Sequence, residues 1–222
     1  MIYEALNLAV LESIPMTARR FLDLGCGAGN LGAAIKEQRG GEVVGVTFSE
    51  PEAELAAKRL DRVLVADLDD FVPPKDLGTF DVVICSHVLE HLREPSRLLR
   101  VLRPCLGAHG VLVVALPNIL YWKQRALMLR GHFKYTGGGL MDSTHLRFFD
   151  WDAACSLLTE SGYELCEPRA TGHLPLPVVR GLLPAKCAKW IDGFATKRFP
   201  GLFGVQFVLI GRPIAQASRD GN

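Results

Sequence analysis

The sequence predicts an open, doubly wound α/β sheet of seven mostly parallel strands, with an antiparallel last strand and insertions that cap it. Three observations carry this expectation. Short, nearly continuous apolar runs recur between residues 20 and 116, the pattern of parallel strands covered on both faces. Helical periodicities alternate with those runs, as βα units require. The first run, Phe21-Leu22-Asp23-Leu24, ends in Gly25-Cys26-Gly27-Ala28-Gly29-Asn30-Leu31-Gly32, a glycine-dense turn leading directly into a helix. Sheets of this kind bind ligands at the carboxyl ends of their strands.

The elements follow in order. Residues 2–13 read as an amphipathic leading helix, with Ile2, Leu6, Ala9, Val10 and Ser13 on one face. A strand at 20–24 and a helix at 29–39 come next, then the strand Val43–Val46 and a helix from Pro51 to Leu60. The third strand, Val63–Ala66, ends at Asp67. Phe80–Cys85 is the fourth, followed by a helix over Pro95–Arg103, and Gly110–Leu116 is the fifth. A helix at 151–161 precedes strands at 163–169 and 205–211, a terminal hairpin that adds the antiparallel strand. Residues 118–149 and 172–203 are long excursions, and ordered insertions of that length are usually lids or substrate pockets. Residues 1–212 read as one domain with a flexible tail at 213–222.

Composition sets limits. A chain of 222 residues is long enough to bury a substantial core. Lys+Arg of 25 against Asp+Glu of 24 leaves a net charge of +1, with no electrostatic footprint for a nucleic acid. The six cysteines include no Cys-x-x-Cys pair and read as reduced thiols of a cytoplasmic protein. Residues 1–16 carry Glu4 and Glu12 and lack a basic leader, so no secretory signal is expected there. No run approaches the roughly 20 apolar residues needed to span a membrane.

The turn carries the first chemistry. Glycine reaches backbone angles that a Cβ forbids and lets a ligand lie against bare main chain, while the amides of the next helix face it. Asp23 stands in an otherwise apolar strand, where a carboxylate usually has a task. Gly27-x-Gly29-x-x-Gly32 also fits a dinucleotide turn, which keeps a nucleotide-dependent oxidoreductase as an alternative; alone, that pattern is weak. His87 and His91 are four apart, a spacing that could share a metal on a helix. With no third ligand evident, no metal is expected, and His91 is expected to pack or bond locally.

Leu22-Asp23-Leu24-Gly25-Cys26-Gly27-x-Gly29, the strand Phe80–Cys85 leading into Val88-Leu89-Glu90-His91-Leu92, and the Gly110-x-Leu112 strand together resemble class I S-adenosylmethionine (SAM)-dependent methyltransferases. The resemblance covers about residues 18–118. Leu116-Pro117-Asn118, Tyr121-Trp122, Gly131-His132-Phe133-x-Tyr135-Thr136 and Asp142-x-Thr144-His145-Leu146-Arg147-Phe148-Phe149 are similar to a bacterial subgroup related to the methyltransferase-like protein of methionine biosynthesis.

The resemblance implies a Rossmann-like sheet, SAM as cofactor with S-adenosylhomocysteine as product, and a small-molecule acceptor. It implies that Asp23, Gly25, Cys26 and Gly27 cradle the methionine part of SAM. An acidic residue is usual at the tip of the second strand, where it holds the ribose; here that tip is Thr47, with Glu50 a substitute or merely a charge in the helix N-terminal turn. This departure leaves open a non-catalytic regulatory or partner subunit. Asp67 takes the place of an acceptor for the adenine amino group or merely caps a short helix, the Leu68 main chain lies beside the ring, and Ser86 and His87 line the same crevice.

An oxygen acceptor must lose a proton, which favours a base near the arriving substrate. His145 has a suitable pKa and Asp142 could orient it; the plainer reading is that His145 and Arg147 pin the excursion to the core. Tyr121, Tyr135 and Arg147 are expected at the substrate, with Tyr135 as a pocket wall or hydrogen-bonding group. Cys187, Trp190, Ile191 and Phe194 share one face of a basic helix in the second excursion. That stripe either packs as a cap, the more common arrangement, or lies on an anionic membrane surface. Oligomeric state is not legible.

Overall fold

A computed structural model describes residues 6–175 and 184–214. Strands β1 (Arg20–Leu24), β2 (Glu42–Thr47), β3 (Arg62–Val65), β4 (Phe80–Ser86) and β5 (Leu106–Pro117) run parallel. Strands β6 (Tyr163–Leu165) and β7 (Arg169–Gly172) both lie antiparallel along β8 (Gly204–Pro213), which pairs antiparallel with β5. The sheet order is β3-β2-β1-β4-β5-β8-β6, with β7 also on β8.

Among the described residues, eight strands stand where seven were expected. The strand expected over 163–169 is broken in two along the same edge of β8. Cys166 still donates its N–H to the Ile210 carbonyl at 2.8 Å. Pro168, two positions on, has no N–H with which to continue the ladder.

Alternation along β1 separates two cores. Phe21 shares one face with Val43, Ile84 and Val113, under Val10 and Leu11 of α1 (Leu8–Ser13) and Leu31 and Ile35 of α2 (Asn30–Arg39). Leu22 and Leu24 share the other, against α4 (Pro95–Leu102) and α6 (Trp151–Glu160) through Leu98, Leu99, Leu102, Ala154 and Leu158. Each such leucine contributes about 1.5–3 kcal/mol on burial, so the parallel strands need no exposed face. Helix α1 starts at Leu8, later than expected, because the Asn7 side chain caps it by accepting from the Val10 N–H; residues 1–5 lie outside the described residues. Helix α3 (Glu50–Ala56) ends before Leu60, and Leu60 itself folds back into the core.

The first excursion closes on itself. Asn118 and Phe149 form a bridge, and α5 (Trp122–Leu129) lies between them. Asn118 is fully buried and donates through Nδ2 to the carbonyls of Gly204 (2.7 Å) and Gly201 (3.0 Å), tying this excursion to the second one. The second carries α7 (Ala185–Arg198) and α8 (Pro200–Phe203). Here the expected stripe is corrected. Ala195 and Thr196 face inward, small enough for α7 to lie close against β7, while Trp190 and Phe194 stack on each other at 6.1 Å, 72 % and 62 % exposed.

Two residues assigned to the tail belong to the sheet region. Pro213 ends β8 and the Ile214 N–H donates to the Gly162 carbonyl; residues 215–222 lie outside the described residues. Among the described residues no helix is long and apolar enough to cross a membrane.

Candidate active site

The glycine turn is pinned between β1 and β2, because the N–H groups of Gly25 and Cys26 both donate to the Val46 carbonyl (2.8 and 2.9 Å). Gly25, Gly27 and Gly29 have φ of +71°, +52° and +81°. At Gly25 a Cβ would run into Val88 Cγ2, so bare backbone is required twice over. Asp23 sits on the Phe21 face of β1, 2 % exposed, and its Oδ2 has no hydrogen-bond partner. Burial pushes its pKa up to about 7. Burial, then the charges of Asp23 and Glu52, also hold the Cys26 thiol protonated. A buried carboxylate with an unmet acceptor beside an open turn suits a cationic ligand and opposes a pyrophosphate. The expected cradle of Asp23, Gly25, Cys26 and Gly27 is therefore assembled in one place.

At the tip of β2, Thr47 is buried and its Oγ1 donates to Glu52 Oε2 at 3.0 Å. Glu52 reaches there from the first turn of α3, which Ser49 caps by accepting from the Glu52 N–H. The carboxylate missing from the strand tip is thus supplied by the helix. Glu52, not the exposed Glu50, is the residue the sequence reading missed. The pattern Ser49-x-x-Glu52, a capping box, was the signal for a glutamate turned back toward the strand end. Asp67 heads a tight turn and not the short helix of its plainer expected role: its Oδ1 accepts from the Asp69 N–H at 2.9 Å. The Leu68 side chain is buried in the core beneath that turn.

Beyond β4, His87 has φ of +54°, the one non-glycine residue in that region among those described. A backbone strained at a strand end is a frequent mark of a functional segment. Its Nε2 lies 2.8 Å from Gln206 Oε1 and its Nδ1 3.2 Å from Glu90 Oε1. Asn7 Nδ2 donates to Ser86 Oγ and to Gln206 Oε1, so Ser86 and His87 share one network. Burial alone would lower the His87 pKa; the hydrogen bond and charge of Glu90 outweigh it and raise the value.

Glu90 is fully buried, and its Oε2 has no partner. Its carbonyl accepts from the N–H groups of Leu146 (2.9 Å) and Arg147 (3.0 Å), which fastens the excursion to the β4 loop. His91 Nδ1 lies 3.3 Å from the Thr144 carbonyl and 3.1 Å from Thr144 Oγ1. The His91 and His145 rings meet edge to face at 4.8 Å. Burial keeps His145 below its ordinary pKa, and its Nδ1 is buried without a partner.

Asp142 is placed differently from expectation. Its Oδ1 accepts from the N–H and Oγ1 of Thr144 (2.9 and 2.8 Å), and so reaches His91 through Thr144; it acts on His145 through its charge and through the His145 N–H, which donates to the Asp142 carbonyl. The absence of a third metal-capable group near His91 is also corrected. Glu90, His91 and His145 each place one ligand-type atom within 4.8 Å of the others. Sequence spacing could not reveal a group brought from the distant excursion.

The expected substrate residues divide. Tyr135 is half exposed and clusters with Phe133 and Phe148 (5.7 and 6.5 Å), beside His145, as an aromatic wall. Tyr121 is buried, and its hydroxyl lies 3.0 Å from His173 Nε2, in a joint between the two excursions rather than on an open surface. Arg147 donates to the Arg93 carbonyl at 2.6 Å and serves the pinning role. All six cysteines are free thiols.

Residues 5–167 match the family described as "Methyltransferase domain". The chain is similar to a ubiquinone biosynthesis O-methyltransferase of Pseudomonas aeruginosa, 33 % identical over 96 residues covering 40 % of each chain. It is also similar to the norajmaline N-methyltransferase of Rauvolfia serpentina, 32 % identical over 108 residues covering 45 % of this chain and 37 % of that protein. The chain thus spans about two fifths of the length of these curated relatives. Among solved structures it resembles a SAM-dependent methyltransferase from Archaeoglobus fulgidus, with TM-score 0.59 and 20 % identity over 88 % of this chain and 86 % of that one. It likewise resembles the Haloferax volcanii complex of the Trm112 methyltransferase activator with a putative methyltransferase, with TM-score 0.63 and 17 % identity over 96 % and 90 %. At these identities the structures show the fold.

Proposed function

The chain belongs to the methyltransferase domain family, and from that premise we propose that it transfers the methyl group of SAM to an oxygen of a small molecule, a hydroxyl or carboxyl on a sugar, lipid or secondary-metabolite intermediate. SAM is the cofactor that goes with this family and fold. The observation that carries the reading is the unmet Oδ2 of buried Asp23 beside the positive-φ glycines. Those residues fit the group: Asp23 is matched to the cationic methionine end, Gly25 and Gly27 to close approach of backbone, and the Thr47–Glu52 pair to ribose hydroxyls. The Asp67–Leu68 turn and the Ser86–His87 segment stand at the same carboxyl edge of the sheet. Asp23 also argues against a nicotinamide dinucleotide, whose pyrophosphate would meet a buried carboxylate.

When bound, SAM supplies an already activated methyl on a sulfonium. The protein's tasks are then alignment and exclusion of water. Phe133, Tyr135 and Phe148 form an apolar wall for the acceptor, with the two excursions as its cap. The Glu90–His91–His145 cluster beside that wall assists the acceptor's loss of a proton. Oxygen as the methylated atom accords with the ubiquinone-pathway relative, and the Asp142–Phe149 segment retains its likeness to the methionine-biosynthesis subgroup. Isotope-labelled SAM offered with a panel of hydroxyl, carboxyl and amine acceptors tests the proposal. Label transferred to oxygen, lost in Asp23→Ala, is expected. Transfer to nitrogen alone would replace the acceptor assignment, and NADH binding without SAM binding would replace the function.

A further inference from the structure

We infer that Glu90, His91 and His145 form a binding site for one divalent transition-metal cation, holding the first excursion to the β4 loop at the acceptor's entrance. Each donor is ready for that task. Glu90 is fully buried, and its Oε2 has no hydrogen-bond partner. A buried carboxylate oxygen without a donor calls for a cation. His145 Nδ1 is likewise buried and unpartnered. His91 Nδ1 is occupied by the carbonyl and hydroxyl of Thr144, which leaves Nε2 as its ligating atom and fixes the ring. Thr144 is in turn held by Asp142. A ligand histidine oriented through its other nitrogen, with a carboxylate behind, is the outer-shell arrangement of metal sites.

The donor set selects the ion. Two imidazoles and one carboxylate suit zinc, iron, cobalt or manganese, whereas magnesium and calcium prefer oxygen donors alone. One ligand-type atom from each residue lies within 4.8 Å of the others. Ligands around a tetrahedral zinc are separated by about 3.4 Å, so binding draws the His145 segment inward by roughly 1 Å. Three protein ligands would leave one coordination position open, and an acceptor oxygen bound there would become more acidic. With the cation bound, His145 is a ligand, and proton loss from the acceptor is assisted by the metal rather than by a free imidazole. This deepens the methyl-transfer reading, but its test needs neither SAM nor acceptor, so the two stand or fall separately.

Tag-free, chelator-treated full chain is titrated with Zn2+ by calorimetry and with Co2+ by visible absorption. One equivalent per chain is expected, with Co2+ d–d bands. Binding should weaken at least tenfold in His91→Ala and in His145→Gln, both checked for native circular dichroism. Thr144→Val, which removes the hydroxyl behind His91, should weaken it severalfold without abolishing it. No saturable binding of either ion, or binding unchanged in both histidine variants, would overturn the assignment. Should either histidine variant fail to fold, the Thr144→Val titration decides in its place.

Discussion

Thr47 Oγ1 donates to Glu52 Oε2 over 3.0 Å, and this bond restores to the tip of β2 the carboxylate that the strand itself lacks. In the proposed SAM site, strand and helix each supply half of the ribose contact. Glu52→Ala should weaken SAM binding about tenfold to a hundredfold, the range of a lost hydrogen bond to a charged group. Thr47→Val should cost less, because the carboxylate remains. Calorimetry on both variants checks the order, and an Glu52→Ala affinity equal to wild type would remove Glu52 from the site.

Gly25 combines φ of +71° with the Val88 side chain where its Cβ would lie. Gly25→Ala should lower the apoprotein's stability by about 1–2 kcal/mol from the backbone alone, with the Val88 clash added. It should also abolish measurable SAM binding. Thermal melts and a titration read the two effects; an unchanged melting temperature would mean the turn is looser than described.

Asp23 couples stability to pH. Unfolded, it titrates near 3.9; folded and buried, near 7. Between those values the folded state keeps the proton and the unfolded state does not, so Asp23's contribution falls as pH rises from about 4 to 7. Asp23→Asn removes this titration. Without ligand, the variant's melting temperature should gain on wild type between pH 4 and pH 8, by an amount corresponding to a few kcal/mol. Melting curves whose difference stays constant with pH would contradict the buried, unmet carboxylate.

Asn118 joins the two excursions from a fully buried position, donating to Gly201 and Gly204 and accepting from the Leu120 N–H. Asn118→Ala strands the Gly204 carbonyl and the Leu120 amide, each worth about 1–3 kcal/mol when buried without a partner, while the Gly201 carbonyl keeps the Arg125 guanidinium at 3.3 Å. Urea unfolding should show a loss of several kcal/mol. A loss under 1 kcal/mol would mean that water replaces the side chain easily.

Much of this was legible in the sequence because local physics dictates it. The glycine turn needs positive φ at Gly25, Gly27 and Gly29, and only glycine supplies that freely; the apolar runs of β1, β4 and β5 follow from burial on both faces. Other features depend on which distant segments meet. The Thr144–His91 contact and the Glu90–His91–His145 group join the β4 loop to the first excursion, and no periodicity carries that information. The face of α7 that packs was set by Ala195 and Thr196, whose small size permits close approach, against the larger apolar stripe of Trp190 and Phe194. Pro168 broke a strand that its neighbours alone would have continued.

The most direct measurement is calorimetric titration of cofactor-stripped protein with SAM and S-adenosylhomocysteine, with NADH as control, in wild type and Asp23→Ala. The account predicts micromolar binding of both sulfur compounds, weakened at least tenfold by the substitution, and no NADH binding. SAM affinity indifferent to Asp23, or absent from the folded wild type, would contradict it.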